Sequence, residues 1–325
     1  MSNEIQTTII NNDKESNMEY SKEDLQILKF LKMVDENNNV DKISKPTPLH
    51  VSTRSAKCKL TEKIDMDKAV IILKDIIENH QSETIVGLEY KNISVGEVKR
   101  KKKKQGENGE KKQKFYNQAT IIIKPKPGGK NINVKFFLNG STSMTGCQGE
   151  NDGIMVMLNF IKEMKKYPEV FNDEKHRQSL DVVDYKVTMI NADYSVGFKI
   201  DRAKLYQLLV ENYKVYVFYN PSIYQGVKIS YMWNDNNLFK DGVCQCQNKC
   251  RLEKNVRKKN SCKIVTISIF QSGNIIITGS SNIEQTMEAY EFINKILYDN
   301  YSLVVRFSIL DCNSDSEDNN NFNEL

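Results

Sequence analysis

The chain is 325 residues long, 39% hydrophobic and formally +5, enough for one sizeable core or two small ones. No apolar run reaches the length of a membrane span, and the N-terminus MSNEIQTTIINNDKES has neither a basic nor an apolar region, which excludes membrane insertion and secretion and points to an intracellular protein. Residues 311–325 hold five acidic side chains and no basic one, so the body is more basic than the total, a balance that fits a polyanionic partner or a lysine-rich solubilising surface.

In chain order, the first 45 residues are polar and Asn-rich except for DLQILKFLKMV (24–34), whose apolar spacing predicts a peripheral helix. From Leu49 to Ile309 two segments answer each other. VSTRSAKCKL (51–60) reads as a strand and KIDMDKAVIILKDII, from Lys63, as an amphipathic helix matched by KIDRAKLYQLLVEN, from Lys199. NQATIIIKPK, a Pro127-Gly128-Gly129 turn and NINVKFF predict one hairpin; KIVTISIF, a turn at Gly273 and NIIITG predict another. FLNGSTSMTGC, from Phe137, and FQSGNIIITGS, from Phe270, share an aromatic, a Gly and a Thr-Gly at constant offset. A long helical pattern follows each Thr-Gly, from Glu150 and from Asn282. Each repeat is therefore strand, helix, antiparallel strands, long helix, with one sheet face on the helices and the other left for solvent or a ligand.

Two segments interrupt the repeats. Residues 98–114, VKRKKKKQGENGEKKQK, form a charged loop, read either as a phosphate-seeking arm through Lys101, Lys102, Lys103 and Lys104 or as a solvated surface loop. Residues 234–263 carry Cys244, Cys246, Cys250 and Cys262, which suit a structural zinc site or remain free thiols. Cys58, Cys147 and Cys312 stand alone. His50, His80 and His176 belong to no catalytic motif and no Gly-rich phosphate cradle is present, so the sequence reads as a non-enzyme with no required cofactor and no small-molecule substrate.

The paired Thr-Gly hairpins, the flanking helices, the VSTRSAKCKL strand and YNPSIYQGV (219–227) together resemble the TATA-binding-protein family, and more closely its divergent members in large DNA viruses. The resemblance covers about residues 47–310 and implies an α+β saddle: two pseudo-symmetric repeats of a curved antiparallel sheet of ten strands, helices on the convex face. It divides the chain into an extension (1–46), repeat one (47–180), repeat two (181–310) and an acidic tail (311–325). It implies a transcription initiation factor that binds and bends AT-rich promoter DNA through the minor groove, with RNA polymerase and initiation factors as partners, in a host nucleus or a cytoplasmic viral factory. The alternative is a saddle that docks transcription proteins and binds DNA only weakly. Intercalating wedges carry over to Phe137, Tyr224 and Phe270. The fourth falls on Phe115 or on Ile85; Phe115 is preferred, because a strand headed by Ile85 would make NQATIIIK an extra strand that breaks the meander. Groove-floor positions fall on Val51, Thr145, Asn191, Ile276 and Thr278. The family's base-reading asparagines fall on Leu49 and Met189, its phosphate contacts after the turn glycines on Ser141 and Asn274, and the glutamates that hold the B-type general factor on Asn220 and Ser222, departures that weaken a strict TATA preference and that partnership.

Overall fold

The computed structural model describes residues 44–98, 117–247, 250 and 262–307. The predicted helix at 24–34, Lys101 to Lys104, Phe115 and the acidic tail lie outside the described residues. The chain divides after Ser44, and every element below belongs to the unit from Lys45 onward.

Repeat one opens with β1 (His50–Leu60) and α1 (Met66–Glu78). It continues through β2 (Ile85–Tyr90), β3 (Ile93–Gly96), β4 (Gln118–Ile123), β5 (Ile132–Phe137) and β6 (Ser141–Cys147). It closes with α2 (Asp152–Met164), a 3-10 turn (Pro168–Val170) and the short α3 (Glu174–Ser179). Repeat two runs β7 (Val182–Ser195), α4 (Arg202–Leu208) with a π turn (Leu209–Tyr213), β8 (Tyr216–Asn220) and β9 (Tyr224–Trp233). It ends with β10 (Lys263–Ile269), β11 (Asn274–Ser280), α5 (Ile283–Asp299) and α6 (Tyr301–Val304). The strands form one antiparallel sheet in the order β3-β2-β4-β5-β6-β1-β7-β11-β10-β9-β8. The two repeats join at the β1–β7 pair, where Arg54 faces Ile190. This is the α+β class, an antiparallel sheet with helices, that the resemblance implies.

Local chemistry explains the helix starts. Asp65 accepts from Lys68 N–H, Asp201 from the N–H groups of Ala203 and Lys204, and Asn282 from Gln285 N–H. Each side chain satisfies donors that the first turn cannot bond internally. The apolar stripes then bury. Leu73, Val70 and Ile77 of α1 and Met157, Phe160 and Met164 of α2 line the first core, with Phe160 4.3 Å from Phe136 between ring centroids. Ala289, Ile293 and Leu297 of α5 line the second, beside Tyr231, whose hydroxyl donates to Glu288 at 2.6 Å. One sheet thus serves two cores, and the first long helix also reaches across the seam to Tyr185 of β7, which packs on the first core.

The Thr-Gly motif has a specific structural use. Ser55 pairs with Thr145 and Arg54 with Cys147, so Gly146 is a bulged residue. Asn191 pairs with Thr278 and Ile190 with Ser280, so Gly279 is its counterpart. Both glycines have positive φ, 100° and 93°, a region in which a side chain is strained. A bulge in a strand neighbouring the central pair bends that strand and adds twist, and the motif places one on each side of the pseudo-twofold.

Among the described residues eleven strands replace the ten expected. Ile85 does head a strand, but it is β2, the partner of β4. After it the chain turns through Lys91, at φ 50°, into β3, which pairs along β2 and covers its outer edge. Edge coverage suppresses unwanted strand pairing, and the meander survives because the extra strand sits outside it. Among the described residues no helix is long and apolar enough to cross a membrane.

Candidate functional site

Burial alternates along the strands. Ile132, Val134 and Phe136 of β5 and Ile275 and Ile277 of β11 face the helices; Lys135, Phe137, Asn274 and Ile276 do not. Directly paired residues share a face, so the open face follows from the registers. In repeat one it carries Ser141, Ser143 and Thr145 of β6, Asn133 and Lys135 of β5, and Lys57 and Lys59 of β1. In repeat two it carries Asn274, Ile276 and Thr278 of β11, Thr266 and Ser268 of β10, Lys228 and Ser230 of β9, and Asn191 and Asp193 of β7.

Four of the five groove-floor residues read from the sequence, Thr145, Asn191, Ile276 and Thr278, share this face. Val51 does not: it pairs with Ala192, which is buried on the helix side. Its neighbours His50 and Ser52 line a shallow depression with Asp193, Ser195 and Ile276. The internal twofold relates Asn191, opposite Thr278, to Ser55, opposite Thr145. By the same relation Thr53 answers Met189. The VST match misplaces the register because β1 pairs with β7 through several bulges, which no linear spacing reveals.

The wedge candidates fall at one set of strand ends. Phe137 closes β5 and is 36% exposed. Tyr224 opens β9 and Phe270 follows β10, their rings edge-on with centroids 5.8 Å apart. Gly226 lies beneath both: a Cβ there would meet Tyr224 Cε1 at 2.9 Å and Phe270 Cε1 at 3.3 Å. Ile85 is 1% exposed, paired with Ile123 inside the first core, so it is no wedge; its burial follows from β2 packing under α1. Gln118 pairs with Phe137 as Gly226 stands opposite Phe270, one step beyond the Val227–Ile269 pair. Two residues before Gln118, the sequence counterpart of Tyr224 is therefore Tyr116, adjacent to Phe115, and both lie outside the described residues.

Several residues of this surface went unmarked by motif reading. Arg202, at the start of α4, bonds Gln225 O through Nη1 and Gln271 Oε1 through Nη2 at 2.9 Å, so one guanidinium ties the turn beside Tyr224 to the turn beside Phe270. The alternation in A-K-C-K was the available clue to Lys57 and Lys59, because Ala56 and Cys58 are buried between them. Asp193 occupies the position of repeat two that Lys57 holds in repeat one, and sits 3.7 Å from His50 Nδ1. Asn133 contributes an amide whose Oδ1 is buried without a hydrogen-bond partner.

The described cysteines separate into two classes. Burial pushes the Cys58 thiol up, and burial with the nearby Asp152 carboxylate pushes Cys147 up to about 11, so both are inert packing residues. Cys244, Cys246, Cys250 and Cys262 converge into one cluster that could hold a metal ion. There burial raises the Cys262 thiol, whereas for Cys244 burial is outweighed by hydrogen bonds from Cys250 and Cys246, which bring it down to about 7.

Against known proteins, the family model described as transcription factor TFIID (or TATA-binding protein, TBP) matches residues 184–300. A protein of Acanthamoeba polyphaga mimivirus described as TATA-box-binding protein-like is 30% identical over 304 residues, covering 89% of this chain and 72% of the relative. Among solved structures, Methanococcus jannaschii TBP is 16% identical with a TM-score of 0.41, over 77% of this chain and 95% of that one. With a relative of that identity and extent, and the Thr-Gly bulge duplicated about the β1–β7 pair, the chain belongs to the TATA-binding-protein family.

Proposed function

We propose that the chain is a DNA-binding transcription initiation factor that lays its open sheet face in the minor groove of AT-rich promoter DNA and bends it. The observation that carries this reading is one continuous face, uncovered by helices, with Phe137 at the strand ends of one half and Tyr224 and Phe270 at those of the other. The minor groove distinguishes mainly A·T from G·C, so Thr145, Thr278, Ile276, Ser55 and Asn191 suit it chemically. Aromatic wedges unstack a base step at a cost of a few kcal/mol, which the contacts of bent DNA offset. The fourth wedge belongs to Phe115 or its neighbour Tyr116, and Lys101 to Lys104 supply phosphate attraction, as does the Lys57, Lys59 and Lys135 row. Nothing in this mechanism calls for catalysis, and polymerase and its initiation factors are the partners that such a factor assembles.

The test is a bending assay on labelled AT-rich duplexes, combined with selection from a random pool. Phe137→Ala with Phe270→Ala should abolish the bend and weaken binding by about 1–3 kcal/mol per lost stack. Unchanged bending and affinity in that double variant would sink the wedge mechanism. Asp193, a carboxylate in the middle of the open face, favours a second reading, in which the saddle docks proteins and binds DNA only weakly. Loss of all binding under excess random-sequence duplex would select that second reading.

A further inference from the structure

The β4–β5 and β9–β10 connections occupy equivalent places but are built differently. In repeat one, residues 124–131 make a Pro/Gly turn held by the Asn159 amide, which donates to Lys124 O at 3.1 Å and Pro125 O at 3.2 Å. In repeat two the chain leaves β9 after Trp233, and the four cysteine Sγ atoms gather within 4.8 Å of one another. Cys246 and Cys262 are 3.5 Å apart, Cys250 and Cys246 3.7 Å, Cys262 and Cys244 3.7 Å.

These separations suit a single tetrahedral ion. A tetrahedral ion with Zn–S bonds of about 2.3 Å holds its sulfurs about 3.8 Å apart. A disulfide needs about 2.05 Å, and a polynuclear iron–sulfur core would hold the cysteines further apart than the cage allows. Every sulfur also receives a donor. Cys250 N–H points to Cys244 Sγ and Cys262 N–H to Cys250 Sγ, both at 3.3 Å. The Asn234 amide lies 3.7 Å from Cys246 Sγ and 3.9 Å from Cys262 Sγ. Donors converging on sulfur stabilise thiolate, the form that binds metal.

The cluster rests on Met232 and Ile264, a directly paired couple two steps along the strands from the Ser230–Thr266 pair of the open face. Met232 is fully buried there, although its face is otherwise uncovered. We propose that Cys244, Cys246, Cys250 and Cys262 bind a single zinc ion, which staples the β9–β10 connection over Met232 and Ile264 and so walls the open face of repeat two at the end away from Phe270. Among the described residues repeat one has no such wall. Binding releases the thiol protons to solvent and involves no redox step. The proposal rests on the preceding reading only in calling this the DNA-facing side.

The experiment uses the full chain, purified and reconstituted under reducing conditions without DNA, so its outcome is independent of whether the protein bends DNA. Elemental analysis should give about one zinc per chain. Cobalt substitution should give thiolate-to-metal charge transfer and the visible bands of a tetrahedral site. Cys244→Ser with Cys262→Ser should lose the ion, while Cys58→Ser with Cys147→Ser keeps it. Chelation should speed amide exchange at the ends of β9 and β10 about tenfold or more and leave β5 and β6 unchanged. An empty reconstituted chain, a disulfide within the cluster under those conditions, an ion retained in the first double variant, or exchange unaltered at β9 and β10 would each overturn it. Should the first variant fail to fold, the cobalt spectrum of the unmutated chain decides the ligand set.

Discussion

The two halves of the sheet are built from the same instructions and finished differently. Both have a capped helix after the first strand, a Thr-Gly bulge beside the central pair and a long helix over the sheet. They part at the positions that meet the open face and its rim. Lys57 in one half is Asp193 in the other, Met66 is Arg202, and a short Pro/Gly turn is a four-cysteine cluster. The shared features fix backbone conformation, which tolerates little change. Among the divergent ones, Lys57 and Asp193 sit on the open face, whereas Met66 is buried in the first core and Arg202 is held by two turns. Duplication thus preserved the frame and left the surface free to become polar in direction, with repeat one more basic and repeat two carrying the aromatic pair and its guanidinium staple.

The sharpest way to break the comparison is at the turn glycines. Gly140 and Gly273 both have positive φ, 79° and 86°, but a Cβ at Gly273 would lie 2.2 Å from Phe198 O, whereas at Gly140 the nearest atom is Leu60 O at 3.5 Å. Gly273→Ala should therefore cost about 3–5 kcal/mol in denaturant unfolding, since backbone must move. Gly140→Ala should cost only the conformational strain, about 1–2 kcal/mol. Equal costs would mean that the close approach in repeat two is relieved at no expense.

Next in size is the staple. Arg202→Met, which installs the residue of repeat one, removes hydrogen bonds to both aromatic-bearing turns and should weaken DNA bending by about 1–2 kcal/mol, while leaving the melting temperature close to that of the parent. A drop in stability with bending intact would instead make Arg202 a folding residue. The smallest effect concerns charge. Lys57→Ala should lower affinity and Asp193→Asn raise it, each by about 0.5–1 kcal/mol at low salt. The Lys57 change should also flatten the salt dependence by about one counterion. If Asp193→Asn weakens binding, the carboxylate is making a contact rather than opposing one.

Much of the frame was legible in the chain itself. Period-two alternation located β5, β10 and β11, and helical periodicity located α1, α2 and α5. The Thr-Gly repeat identified the duplication, and the cysteine spacing identified four residues that do meet. Less legible was anything that depends on how strands lie against each other. Val51 and Ile85 both carried a plausible local pattern, yet Val51 turns to the helix side and Ile85 is buried, because a single bulge exchanges the faces of every residue beyond it.

The sequence by itself determined the number of repeats, their element order and the residue types at the two bulges, since these follow from local backbone preference and periodicity. Only the tertiary structure decided the register of β1 on β7, the pairing of Ser55 with Thr145 as the mate of Asn191 with Thr278, the bridge from Arg202 to two separate turns and the distances within the cysteine cluster. Each of those depends on segments brought together from far along the chain, where bulges, loop lengths and packing set the position of a side chain and no local spacing encodes it.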